Sequence, residues 1–121
     1  MIYVKITRCR SSGEVYTLQR PLRFEGLTVP AEFRSDGASV PRFFWRVVFP
    51  PGDALALRAA ILHDFIYRTH PKGWNREDAD RLFLAVMILD DVPVHRALMA
   101  WAGVRIGGGK AWKEGCGNVQ K

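Results

Sequence analysis

Residues able to do acid–base or metal chemistry are concentrated in two stretches of this chain, AAILHDFIYRTH at 59–70 and REDADRLF at 76–83. In the first, Leu55, Ala59, Leu62 and Ile66 recur at helical spacing and form an apolar stripe. At about 100° per residue His63 falls at the edge of that stripe, with Tyr67 one turn further on. Asp64 is rotated one step more, towards a second and wetter region. In the second stretch Asp80 shares a helical face with Phe83, Leu84 and Met87. A charged carboxylate on a core face costs roughly several kcal/mol unless it is paired. His63, Tyr67 and Arg76 are the groups within reach. A His63–Asp80 pair held between two helices would fix the imidazole tautomer and equip the ring as a general base.

Asp36-Gly37 adds a third element. A carboxylate beside a glycine carbonyl suits a hard cation such as calcium, which takes oxygen ligands from both kinds of group. Asp36, the Gly37 carbonyl and Asp64 are the candidate metal ligands; His63, Asp80 and Tyr67 are the candidate catalytic set. Each residue also has a plain structural reading. His63-Asp64 is an ordinary helical dipeptide, Asp80 a bridge between helices, and Asp36 the start of an Asx-turn helped by Ser39. A zinc phosphohydrolase is a further alternative. It would use His70, seven residues beyond His63, and it would need another histidine upstream, where the chain has none.

These residues need elements to hold them. Ile2, Val4 and Ile6 alternate with Tyr3, Lys5 and Thr7, the period of a half-buried strand. Ser11-Ser12-Gly13 turns the chain, Val15 to Gln19 returns it, and 22–24 and 27–29 read as two short strands punctuated by Pro21 and Pro30. Residues 31–53 read as an ordered loop with an aromatic cluster, Phe43, Phe44, Trp45 and Phe49. Asp53 is positioned to cap a helix running to about Thr69, ended by Pro71-Lys72-Gly73. Asn75 with Asp78 has capping-box spacing for a second helix to about Leu89. Asp91 with Pro93 opens a third, to about Ile106, before a Gly107-Gly108-Gly109 stop and a loose tail over 107–121. The expected fold is α+β: a β-rich N-terminal third followed by a three-helix bundle over 54–106, all within one domain, 1–121.

Composition sets the outer limits. With 121 residues, 48% hydrophobic and 25% charged, the chain is globular in type. No apolar run nears the ~20 residues of a membrane span. Cys9 and Cys116 are the only cysteines, so this is no disulfide scaffold. The net charge of +6 comes from scattered basic residues and matches no nucleic-acid-binding fingerprint, so no nucleic-acid partner is expected. The N-terminus MIYVKITRCR has no apolar signal core, so export is not expected; the placement in a host cytoplasm or a phage virion is what a family likeness implies.

That last expectation rests on a resemblance. From about Val29 to Trp112, the segments FRSDGASVPRFFW, AAILHDFIYR and REDADRLF, with a terminal helix ending in Trp, resemble an uncharacterised family of small proteins encoded mainly by tailed bacteriophages and prophages. More distantly, His63-Asp64-Phe65-Ile66-Tyr67, Ala79-Asp80-Arg81-Leu82-Phe83 and Asp36-Gly37-Ala38-Ser39 are similar to the prokaryotic secreted phospholipase A₂ group. Where that group carries a cysteine three residues before its histidine, this chain has Ala60. The second resemblance implies a calcium-dependent lipid or ester hydrolase acting on the host envelope. In it His63 activates water, Asp80 orients His63, Tyr67 joins the Asp80 network, and Asp36, Gly37 and Asp64 bind calcium. Its partner would be host membrane lipid. The rival is a non-enzymatic virion or assembly component, associated with other phage structural proteins, whose His/Asp network only holds the fold.

Overall fold

The computed structural model describes residues 4–9, 13–24, 26–35 and 55–118. The chain is α+β and divides into two compact units, Met1–Gly37 and Ala38–Lys121.

In the first unit β1 (Val4–Cys9) pairs antiparallel with β2 (Gly13–Leu18), in the register Val4↔Leu18 through Cys9↔Gly13. A separate hairpin joins β3 (Leu22–Phe24) to β4 (Leu27–Val29). Gly26 takes a positive φ of 80° in its tight connection, a conformation glycine adopts without steric cost. Leu22, Leu27 and Val29 are buried while Arg23 and Thr28 are exposed, the alternation of a one-sided sheet. The third strand on the main sheet, β5 (Arg34–Ser35), lies within the segment read as loop and pairs with β2. Its approach is set by Glu32, at φ 73°, whose N–H bonds the Leu18 carbonyl, while the Leu18 N–H bonds Phe33. A two-residue strand entered through a left-handed non-glycine residue has no periodic signature. Asp36, Gly37, Asp53 and the aromatic cluster at 43–49 lie outside the described residues.

The second unit is helical. Helix α1 (Leu57–Thr69) starts three residues later than the reading from Asp53 and has no side-chain cap. Nine of its 13 residues are buried, so packing rather than capping stabilises it. It ends on His70 in the left-handed region, ahead of Pro71. Helix α2 (Arg76–Leu89) opens with the expected box: Asn75 Oδ1 accepts from Asp78 N–H at 2.7 Å, and Asp78 Oδ2 accepts from Asn75 N–H at 3.2 Å. It closes with a Schellman motif. Asp91, at φ 69°, stands where glycine is usual, and the N–H groups of Val92 and Asp91 bond the carbonyls of Met87 and Ile88. The carboxylate of Asp90 takes both arms of Arg58, at 2.9 and 2.8 Å, tying this turn to the start of α1.

Helix α3 (Val94–Gly107) follows Pro93 and buries Ala97, Ala100, Gly103 and Val104, small residues that allow close packing on α2. The tail read as loose is instead a fourth helix, α4 (Gly109–Asn118), packed on α1. The glycine run does end α3, at Gly107 with Gly108 as its C-cap (φ −88°, ψ −5°), but α4 starts at once from Gly109. Trp112 then anchors α4. It stacks on His70 with ring centroids 3.7 Å apart and meets the Tyr67 ring edge-on at 5.3 Å. Tertiary contact thus overrides the poor local propensity of glycine.

Candidate functional site

The site is assembled from three helices around one carboxylate. Asp80 lies on the buried face of α2, among Ala79, Leu82, Phe83, Val86 and Met87, and is fully buried; Leu84, assigned to that face by spacing, is half-buried. From α1, one turn apart, come His63 and Tyr67. His63 Nε2 lies 2.7 Å from Asp80 Oδ1, and the Tyr67 hydroxyl donates to the same oxygen at 2.6 Å. From the last turn of α3, Arg105 Nη1 donates to Asp80 Oδ2 at 2.8 Å. The carboxylate therefore has a charged or polar donor on each oxygen, which is how a buried ion is made tolerable.

Arg76 completes the arrangement. Its Nε donates to the Tyr67 hydroxyl at 3.1 Å and stands 4.0 Å from Asp80 Oδ2. Its Nη2 donates to the carbonyls of Val104 and Arg105 at 2.8 and 2.7 Å, satisfying the exposed end of α3. Gly108 is fixed by the same geometry. A Cβ there would lie 2.5 Å from the Val104 carbonyl oxygen and 2.9 Å from the Tyr67 hydroxyl.

Burial alone would raise the Asp80 carboxyl. Hydrogen bonding and attraction to His63, with the bonds from Tyr67 and Arg105, outweigh it and hold the group below its ordinary value. The Tyr67 phenol moves the other way, pushed far above its usual range first by burial and then by the Asp80 carboxylate, with Arg76 opposing. Because an ionised carboxylate only accepts, the Nε2 of His63 carries the shared proton, and in the neutral ring the lone pair falls on Nδ1. The ring is held from the sides as well, with centroids 4.2 Å from Tyr67 and 4.6 Å from Phe83. His63 is itself fully buried. The chemical content is a histidine of fixed tautomer on a carboxylate of fixed orientation.

The structure thus brings together His63, Asp80 and Tyr67 and adds Arg105, which sequence reasoning missed. Arg105 is 25 positions from Asp80, and its only local signal is a basic residue in a final helical turn, a common place for one. Asp64 differs from expectation. It is buried rather than turned to a wet region, because α1 is covered on most of its circumference, and its Oδ2 lies 3.5 Å from Arg68 Nε. As a carboxylate Asp64 is of the ligand type calcium takes, but its charge already faces a guanidinium. The other two candidate ligands, Asp36 and Gly37, are outside the described residues. Among the described residues no three His, Cys, Asp or Glu side chains converge as a metal site. His70, the second histidine of the zinc alternative, has its Nε2 2.8 Å from the Trp112 carbonyl, which can only accept, so that nitrogen carries a proton and only Nδ1 is left with a lone pair.

The family model described as Protein of unknown function (DUF1353) matches residues 14–104, a span that contains His63 and Asp80. The chain belongs to that family. A curated relative, the uncharacterized protein y4jT of Sinorhizobium fredii (strain NBRC 101917 / NGR234), is 36% identical over 75 residues. The match takes in 61% of this chain and 22% of the relative, so the chain spans about a fifth of the length of that protein. No solved structure matches. Among the described residues, no helix of this DUF1353 member is long and apolar enough to cross a membrane.

Proposed function

We propose that this DUF1353 protein is a phage- or prophage-encoded hydrolase of lipid or other ester bonds, working through His63 and Asp80. The observation that carries the reading is the 2.7 Å contact between His63 Nε2 and a buried carboxylate whose second oxygen is tied down by Arg105. In such a pair Nδ1 takes a proton from a water molecule as that water attacks the ester carbonyl. Asp80 balances the imidazolium that forms, and the proton passes from His63 to the departing alkoxide as the tetrahedral intermediate collapses. Tyr67 keeps Asp80 in place and does not itself exchange protons in the neutral range. Calcium, which the motif resemblance implies, would supply polarisation of the ester carbonyl when bound. The phage origin and the host-envelope target rest on the motif resemblance, and membrane lipid is the partner it favours.

Full burial of both His63 and Asp80 favours a second reading. In it the same residues form a polar knot that fixes the helix packing of a virion or assembly component. The two separate in one assay. Purified protein is incubated with short-chain nitrophenyl esters and with phosphatidylglycerol vesicles, with millimolar calcium or with a chelator, and acid release is followed. Calcium-stimulated hydrolysis supports the first reading. No hydrolysis together with no calcium binding in the millimolar range leaves the second.

A further inference from the structure

Arg105 has no place in the residues expected from sequence, yet it holds the oxygen of Asp80 that neither His63 nor Tyr67 touches. A carboxylate bound on one oxygen alone can swing about its Cβ–Cγ bond and carry its histidine contact with it. Here the Oδ1 side is shared by two donors from α1, and the Oδ2 side is closed by Arg105 at 2.8 Å from α3. The end of α3 is itself fixed from α2, since Arg76 Nη2 bonds the main-chain carbonyls of Val104 and Arg105. The two arginines therefore interlock: Arg76 sets where the last turn of α3 lies, and from that turn Arg105 reaches back to the carboxylate one helical turn beyond Arg76. Arg76 Nε, at 4.0 Å from Oδ2, is too far to replace it.

We propose that Arg105 is a positioning residue for the His63–Asp80 pair, fixing the carboxylate torsion that aims the imidazole. Its kinetic consequence rests on the hydrolase reading; its geometric consequence does not. Full-length protein labelled with ¹⁵N-histidine gives a direct readout, because an Nε2 proton held by a carboxylate at this distance resonates far downfield and exchanges slowly. Arg105→Gln is expected to move that His63 proton upfield and speed its exchange. It should lower kcat about tenfold to hundredfold with KM unchanged, the scale set by small misplacements of a reacting group. Arg105→Lys, with a single donor nitrogen and the same charge, is expected to fall between Arg105→Gln and the native protein on both readouts. A native His63 resonance in Arg105→Gln overturns the proposal, even if its melting temperature falls. If Arg105→Gln does not fold, Arg105→Lys is read in its place, an upfield shift supporting the proposal and a native resonance overturning it. If the native protein hydrolyses nothing, the hydrolase reading falls while the resonance still decides the role of Arg105.

Discussion

Asp80→Asn is the sharpest perturbation of the network, because it keeps the shape of the side chain and changes only charge and one acceptor. Oδ1 now accepts from His63 and Tyr67, and Oδ2 from Arg105. An amide has one acceptor oxygen. Turned towards α1, it leaves its NH₂ facing the Arg105 guanidinium; turned towards Arg105, it sets the NH₂ against two donors. At least one charge-assisted bond is lost, worth about 1.5–3 kcal/mol, and breaking a fully buried pair costs about 3–5 kcal/mol. Arg105 is 31% exposed and can turn to water, so the cost falls between the two figures, at about 2–4 kcal/mol. For a domain of this size that lowers the Tm by roughly 10–20 °C. The assay is urea unfolding followed by far-ultraviolet circular dichroism across pH. The folded Asp80 carboxyl is depressed, so its contribution is complete above the unfolded value of about 3.9 and is lost as pH falls through the folded value. The gap between native protein and variant therefore narrows below about pH 4. Glu77→Gln, which removes an exposed partner of Arg81, should stay within about 0.5 kcal/mol. A gap for Asp80→Asn no larger than this control, or one that does not narrow in acid, refutes the reasoning.

Other consequences follow from the same contacts. Tyr67→Phe removes one donor to Asp80 and the acceptor of Arg76, and should cost about 1–2 kcal/mol in the same unfolding assay. Because the Tyr67 phenol is raised, its contribution is present below the unfolded value of about 10 and is lost only at higher pH. Ultraviolet titration of native protein and Tyr67→Phe should therefore coincide until alkaline unfolding begins. Gly108→Ala places a methyl group against the Val104 carbonyl and the Tyr67 hydroxyl and should destabilise by about 1–3 kcal/mol in urea. Asn75→Ala, which opens the capping box, should cost about 1 kcal/mol by the same measurement.

Much of the scaffold was legible because local chemistry set it. Asn75 and Asp78 announce the start of α2, Pro93 the start of α3, and Pro21 and Pro30 the bounds of the two short strands β3 and β4. The approach of His63 and Tyr67 to Asp80 was also legible, since a carboxylate on an apolar helix face needs donors and one turn of α1 offers two. What sequence could not supply was tertiary in origin. The helix α4 depends on Trp112 finding His70 and Tyr67 across the fold. Asp64 is buried because α1 packs against both α2 and α4, and α4 was not foreseen. Arg105 reaches Asp80 only after α3 has docked, and no spacing rule connects residues on helices that meet through small side chains. Strand β5 is two residues long and depends on the unusual φ of Glu32.

The central claim, that the buried imidazole acts as a base, meets its most direct test in the hydrolysis rate of His63→Gln. Glutamine still offers Asp80 an N–H donor but cannot take a proton from water. The account predicts a folded variant whose kcat is lower than that of the native protein by about 100-fold or more. Equal rates in the two proteins, or no turnover by the native chain on lipid or ester, would contradict it.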